Sequence, residues 1–170
     1  MDLLFSRSYK YTVKKPIDRV LVDFSKVANR KWTDISDNIT GEVTAEKSFG
    51  FTHKWTPGYI RGIFGNDFAS IKGTITGDGQ RTIIQTTLRP NLGLVFFFYL
   101  MAFLFLCELF EIKTMFNGAK SDILLLLIFF GLILFGIILF MTNGLRNTFE
   151  KVFHLRSGLQ QKVLFKPGRR

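Results

Sequence analysis

The nineteen positions from 123 to 141 carry no polar side chain: sixteen are Leu, Ile or Phe, and the exceptions are Gly131, Gly136 and Met141. On a membrane-insertion scale each of the sixteen contributes roughly −0.3 to −0.6 kcal/mol, so the run sums to about −5 to −10 kcal/mol in favour of lipid. A soluble core helix of that length needs a polar stripe to face water, and none occurs at any helical spacing. Residues 92 to 107 are nearly as apolar, but sixteen residues rise only about 24 Å against a hydrocarbon core of about 30 Å. Carrying the first span through Glu108 to residue 112 supplies the length. It also sets Glu108 in the last turns, where a carboxylate snorkels to the headgroup layer. The sequence therefore predicts a transmembrane helical hairpin over residues 91–142, with spans at about 92–112 and 123–141 and a turn at Asn117-Gly118.

Charge sets the expected orientation. Lys72, Arg81 and Arg89 precede the hairpin, Lys113 and Lys120 lie in its loop, and Arg146, Lys151 and Arg156 follow it. Six cations flank the termini against two in the loop, the direction of the positive-inside rule. The run Leu3-Leu4-Phe5 is too short for a signal-peptide core, so nothing would export the residues ahead of the first span. Both termini are expected in the cytoplasm, at the inner (plasma) membrane. The single cysteine, Cys107, excludes an intramolecular disulfide. The net charge of +10 divides into +5 over residues 1–91, −1 over 92–142 and +6 over 143–170. Each Lys or Arg beside an anionic bilayer is worth about 1 kcal/mol, which makes anionic headgroups the expected partner. Nucleic acid is not expected, because no binding motif accompanies the charge.

Residues 1–90 read as a small cytoplasmic α+β domain. Tyr9, Tyr11 and Val13 alternate with Lys10, Thr12 and Lys14, the period of a strand with one buried face. Pro16 opens a helix whose Ile17, Val20, Leu21, Phe24, Val27 and Ala28 share one face, to be packed on a sheet. Strands follow over residues 41–47, 49–55, 59–64, 67–76 and 81–89 as an antiparallel meander, the last two joined by a hairpin at Gly77-Asp78-Gly79-Gln80. Arg89, Pro90 and Asn91 lead into the first span, Pro90 ending the strand and Asn91 capping the helix.

The opening strand, the Lys15-Pro16 pair and the following helix resemble the start of the helix-grip fold of START-like lipid and hydrophobic-ligand binders. That resemblance implies an apolar ligand held between helix and sheet. The family's long closing C-terminal helix has no counterpart here, its place being taken by the first span. The later residues Phe64-Gly65, Asn66, Phe68, Ile71, Gly73, Ile75, Thr82-Ile83 and Leu88-Arg89-Pro90-Asn91 are similar, over about 41–142, to small uncharacterised bacterial two-span membrane proteins with a β-rich cytoplasmic domain. That similarity implies no activity.

Residues 143–170 are expected to form a basic amphipathic cytoplasmic tail. Leu145, Phe149, Val152 and Phe153 share a helical face opposite Arg146, Asn147, Glu150, Lys151 and His154, as in a helix lying at the interface or continuing the span. Ser157-Gly158 should end it. Glycines 131 and 136 are five apart, so they do not make a GxxxG pair, though each is placed to seat a phenylalanine of the first span.

No constellation for catalysis is legible. His53 and His154 are a hundred positions apart with no metal-ligand spacing and read as surface or interface side chains. Asp34 and Asp37 sit in a turn-forming loop, and Gly77, Gly79 and Arg81 are explained by a hairpin rather than by phosphate binding. No cofactor, metal or enzymatic activity is expected. The residues singled out are Glu108, at membrane depth, and Arg89, Asn91, Arg146 and Lys151 at the membrane interface.

Eleven phenylalanines between Phe96 and Phe140, with no polar pore lining, suggest a non-enzymatic accessory or scaffold protein docking on a larger membrane assembly or on its own copies. One alternative is a membrane-tethered lipid or hydrophobic-ligand module, which a solid core of Phe24, Phe49, Phe51 and Phe68 would rule out. The other is a signal-gated effector that forms a pore by oligomerisation.

Overall fold

The computed structural model of the chain describes residues 5–30, 37–44, 46–54, 68–78, 80–110 and 120–155. Five strands, β1 (Arg7–Val13), β2 (Thr40–Val43), β3 (Ser48–Thr52), β4 (Ala69–Asp78) and β5 (Arg81–Pro90), form one antiparallel sheet in the order β1-β5-β4-β3-β2. Among the described residues three helices accompany them: α1 (Ile17–Ala28), α2 (Leu92–Leu109) and α3 (Lys120–Val152). The expected meander is β2 to β5, and the β4–β5 hairpin closes on the Asp78–Arg81 pair. The strand expected over 59–64 lies outside the described residues.

β1 pairs with β5 along its whole length, from Arg7 opposite Leu88 to Val13 opposite Thr82. Period-two alternation sorts the sheet into two faces. On β5, Thr82, Ile84, Thr86, Leu88 and Pro90 are buried, and the residues between them turn outward. The two inward threonines are satisfied: Thr82 Oγ1 donates to the Lys15 carbonyl at 2.7 Å and Thr86 Oγ1 to the Tyr9 carbonyl at 3.4 Å. Gly73 stands opposite Phe49 and Gly41 opposite Phe51. A Cβ at Gly73 would collide with the Gln85 backbone oxygen and the Phe49 ring, so glycine there is the room the aromatic core requires.

α1 lays Val20, Phe24 and Val27 on the inner face, as its spacing predicts. The second cover of that face is the end of α3. Leu145 and Phe149 are buried beside Phe24, Phe49 and Phe51, and Phe153 stacks on Phe24 with ring centroids 4.0 Å apart. α2 does not take the place over the sheet that the sequence had assigned to the first span.

α3 is one unbroken helix of 33 residues. The boundary expected at 142/143 falls inside it, so the amphipathic tail helix is a continuation of the second apolar helix. The helix stops before the expected Ser157-Gly158 signal. His154 takes a left-handed conformation (φ 50°), its N–H donates to the Lys151 carbonyl, and the Leu155 N–H donates to the Glu150 carbonyl at 2.9 Å. This is a Schellman closure, and burying Leu155 in the core supplies its apolar contact.

α2 and α3 run antiparallel, as Val95 packs with Ile138 and Phe98 with Phe135. Both are long and apolar enough to cross a membrane, and only about a tenth of the apolar stretch of each is buried by the rest of the chain. Leu92, Phe96, Phe103, Leu125, Leu132 and Phe140 all point outward. A soluble monomer does not leave a patch of that size bare to water. Gly131 and Gly136 seat no phenylalanine: a Cβ at either would meet nothing within 4 Å, and Gly131 borders an open cleft between the two helices.

Candidate functional site

The residues singled out from the sequence do not converge. Glu108 lies at the far end of α2, roughly 25 Å from its first turn at about 1.5 Å per residue. Asn91 and Arg89 sit at the β5–α2 junction. Arg146 and Lys151 lie in the part of α3 that packs on the sheet. Among the described residues no group of His, Cys, Asp or Glu could hold a metal ion.

What the fold builds instead is a joint between the head (β1–β5, α1) and the helix pair. Asn91 does cap α2: its Oδ1 accepts from Gly93 N at 2.7 Å and Leu94 N at 3.3 Å, an interaction worth about 1 kcal/mol. The Asn91 N–H donates to the Phe68 carbonyl at 2.8 Å, so strand and helix are joined without a flexible residue. Phe5 wedges against both helices, its ring 5.5 Å from that of Phe98 and 6.0 Å from that of Phe135.

α3 is fastened where its apolar run ends. His53, expected at a surface or an interface, is buried with Nε2 3.0 Å from the Met141 carbonyl. A carbonyl only accepts, so Nε2 carries the proton. Thr142 Oγ1 donates back to the Ile138 carbonyl at 2.7 Å, and Arg7 Nη1 donates to Asn143 Oδ1 at 3.3 Å. Lys54, next to His53 in the chain, is buried as well.

Arg146 and Glu150 do not face outward as the helical pattern suggests. They form an i, i+4 ion pair at 2.7 Å, both side chains more than four-fifths covered. The Arg146 guanidinium stacks 4.5 Å above the Tyr9 ring, and the Tyr11 hydroxyl donates to Glu150 Oε1 at 2.8 Å. Lys151 is exposed in the last turn. Only β1's position beside β5 reveals this cluster, because the tyrosines and the ion pair are more than 130 residues apart. Asp37 pairs with Arg30 at 2.6 Å, while Asp34 lies outside the described residues.

Burial first, and then the hydrogen bond to the Glu150 carboxylate, push the Tyr11 hydroxyl well above the ordinary value of 10.0. The folded state therefore holds this proton when the unfolded chain has lost it. Its stabilisation is complete below about pH 10 and disappears as pH rises through the elevated folded value. The melting temperature is expected to fall as the pH rises above about 10. Tyr11→Phe should remove that part of the slope while costing about 1 kcal/mol at neutral pH through the lost hydrogen bond. An unchanged slope in the variant would assign the titration to another group.

The described interior offers no room for an apolar ligand between α1 and the sheet. Phe24 lies 4.9 Å from Phe49 and 5.6 Å from Phe51, and Phe149 and Phe153 complete the packing. Phe68 is buried outside this cluster. A cleft of about 390 Å³ opens between α2 and α3 at Ala102, Gly131 and Phe135. A groove of about 600 Å³ crosses the outer face of the sheet. Comparison of the chain with protein-family models and with curated proteins finds no match.

Proposed function

We propose that this chain is a two-span accessory or scaffold protein, not an enzyme, that holds its α+β head at a set height and rotation on the cytoplasmic face of the inner membrane. The observation that carries this reading is the change along α3. Phe140 is 75 % exposed and Leu145 is 0 % exposed, five residues apart on one unbroken helix. The apolar half requires lipid or a partner, the other half is the core of the head, and no hinge separates them. Asn91, His53, Arg7 and Phe5 brace the same joint. A head that cannot swivel suits a protein that positions a partner.

The cytoplasmic placement of both termini rests on the excess of cations flanking the spans. The outward phenylalanines at positions 96, 103, 129 and 140 are the surface on which a larger assembly or a second copy docks. A filled interior speaks against the hydrophobic-ligand alternative, and outward faces that are wholly apolar offer a pore no lining. The test is extraction and topology in vesicles of native orientation. The protein is expected to resist an alkaline wash, and the head is expected to be cleaved by protease only once the membrane is opened. Release by alkali, or digestion of the head from outside intact cells, would overturn the reading.

A further inference from the structure

We infer that the outer face of the sheet is a binding site for the headgroup of an anionic phospholipid. The inference rests on the membrane reading above and names the face that would meet the lipid. The period-two alternation that fills the inner face with phenylalanine and isoleucine turns Lys10, Lys72 and Arg89 to the other side, all three exposed. The register sets them around one centre. Lys72 is directly opposite Thr87, Lys10 is directly opposite Gln85, and Arg89 is two residues beyond Thr87 on β5. Each stands about 5–8 Å from Thr87 along the backbone, which leaves Lys72 and Arg89 about 8 Å apart and Lys10 roughly 12–14 Å from both, a span that long Lys and Arg side chains close around a glycerophosphate headgroup.

Among the described residues none of the three cations is in an ion pair. Among the described residues the only carboxylate lining the groove, Glu42, is separated from Lys72 by Gly50, in the row Glu42–Gly50–Lys72. A Cβ at Gly50 would meet nothing within 4 Å, so packing does not demand glycine there, and its absent side chain opens the groove floor. Three uncompensated cations in a concave surface, with Thr87 and Gln85 as neutral hydrogen-bonding groups between them, focus positive potential on that floor. Position decides the source of the anion. Arg89 is three residues from Leu92, the first and widely exposed residue of α2, so the basic end of the groove opens where the apolar helices begin. Lys72 lies one row, about 7 Å, further up the strands.

The full chain in nonionic detergent is offered short-chain phosphatidylglycerol, short-chain phosphatidylcholine, glycerol 3-phosphate and inorganic phosphate. Retention is read by native mass spectrometry and by the melting temperature of the head. Phosphatidylglycerol is expected to be retained preferentially. Lys10→Gln, Lys72→Gln and Arg89→Gln are expected to weaken it by about fivefold each. Gly50→Glu, which adds a carboxylate to the floor without a clash, should do the same, and Arg19→Gln and Lys26→Gln on α1, which covers the other face of the sheet, should do nothing. Equal losses in both sets, no loss in the groove set, or retention of phosphatidylcholine as strong as that of phosphatidylglycerol would overturn the site. Glycerol 3-phosphate or inorganic phosphate binding as tightly as the lipid would overturn the lipid as its source. A chain that resists alkali yet shows no groove effect refutes only this site, whereas a chain washed off by alkali refutes the membrane reading itself.

Discussion

Phe149→Ala is expected to unfold the head while leaving the two apolar helices in the bilayer. Phe149 is 1 % exposed, and its ring lies within 6.3 Å of those of Tyr11, Phe24, Phe49, Phe51 and Phe153. Removing a buried ring costs about 3–5 kcal/mol, the lost transfer energy plus the cavity left behind. A head of this size has a total margin of roughly 5–15 kcal/mol, so the loss is a large part of it. The measurement is protease sensitivity of the head in vesicles alongside alkaline extraction. Head and helices should separate in behaviour, with a sensitive head on a chain that stays in the membrane. A head as resistant as the original would mean that the end of α3 is not part of its core.

Inserting one alanine between Asn143 and Gly144 should be almost as damaging. It turns everything beyond it by about 100° and shifts it by about 1.5 Å. Leu145, Phe149 and Phe153 then leave the core, or the His53–Met141 and Arg7–Asn143 contacts break. The connection at Asn91 leaves the head no slack to follow. A loss of about 3 kcal/mol or more is expected, in the range that identifies a broken core. The same alanine placed at Asn117-Gly118, in the turn predicted between the spans, is the control and should be tolerated. A neutral insertion at 143/144 would show that the joint is a hinge, and with it the positioning role would fail.

The elements that local pattern controls were legible. The α1 helix, the alternation of β1, the β4–β5 hairpin and the cap at Asn91 each depend on residues within a few positions of one another. The apolar lengths of α2 and α3 are equally local. The candidate site was not legible, because its parts meet only through pairing of distant segments. Arg146 and Glu150 look like the water face of an amphipathic helix until β1 brings two tyrosines against them. His53 reads as a surface or interface side chain with no partner named until the Met141 carbonyl reaches it. The three groove cations carry no spacing signal at all, since they come from strands that are adjacent in space but far apart in the chain.

Composition and periodicity alone determined that this chain carries two helices fit for lipid and a small sheet with one apolar face, because the free energy of placing each side chain depends on its own polarity and repeat. Only the tertiary structure decided that the second helix runs on through the boundary into the core of the head. The stretch from Leu145 to Leu155 is apolar enough for a membrane surface or for a protein interior, and the deciding quantity is the space left by Phe24, Phe49 and Phe51 above two cross-strand glycines.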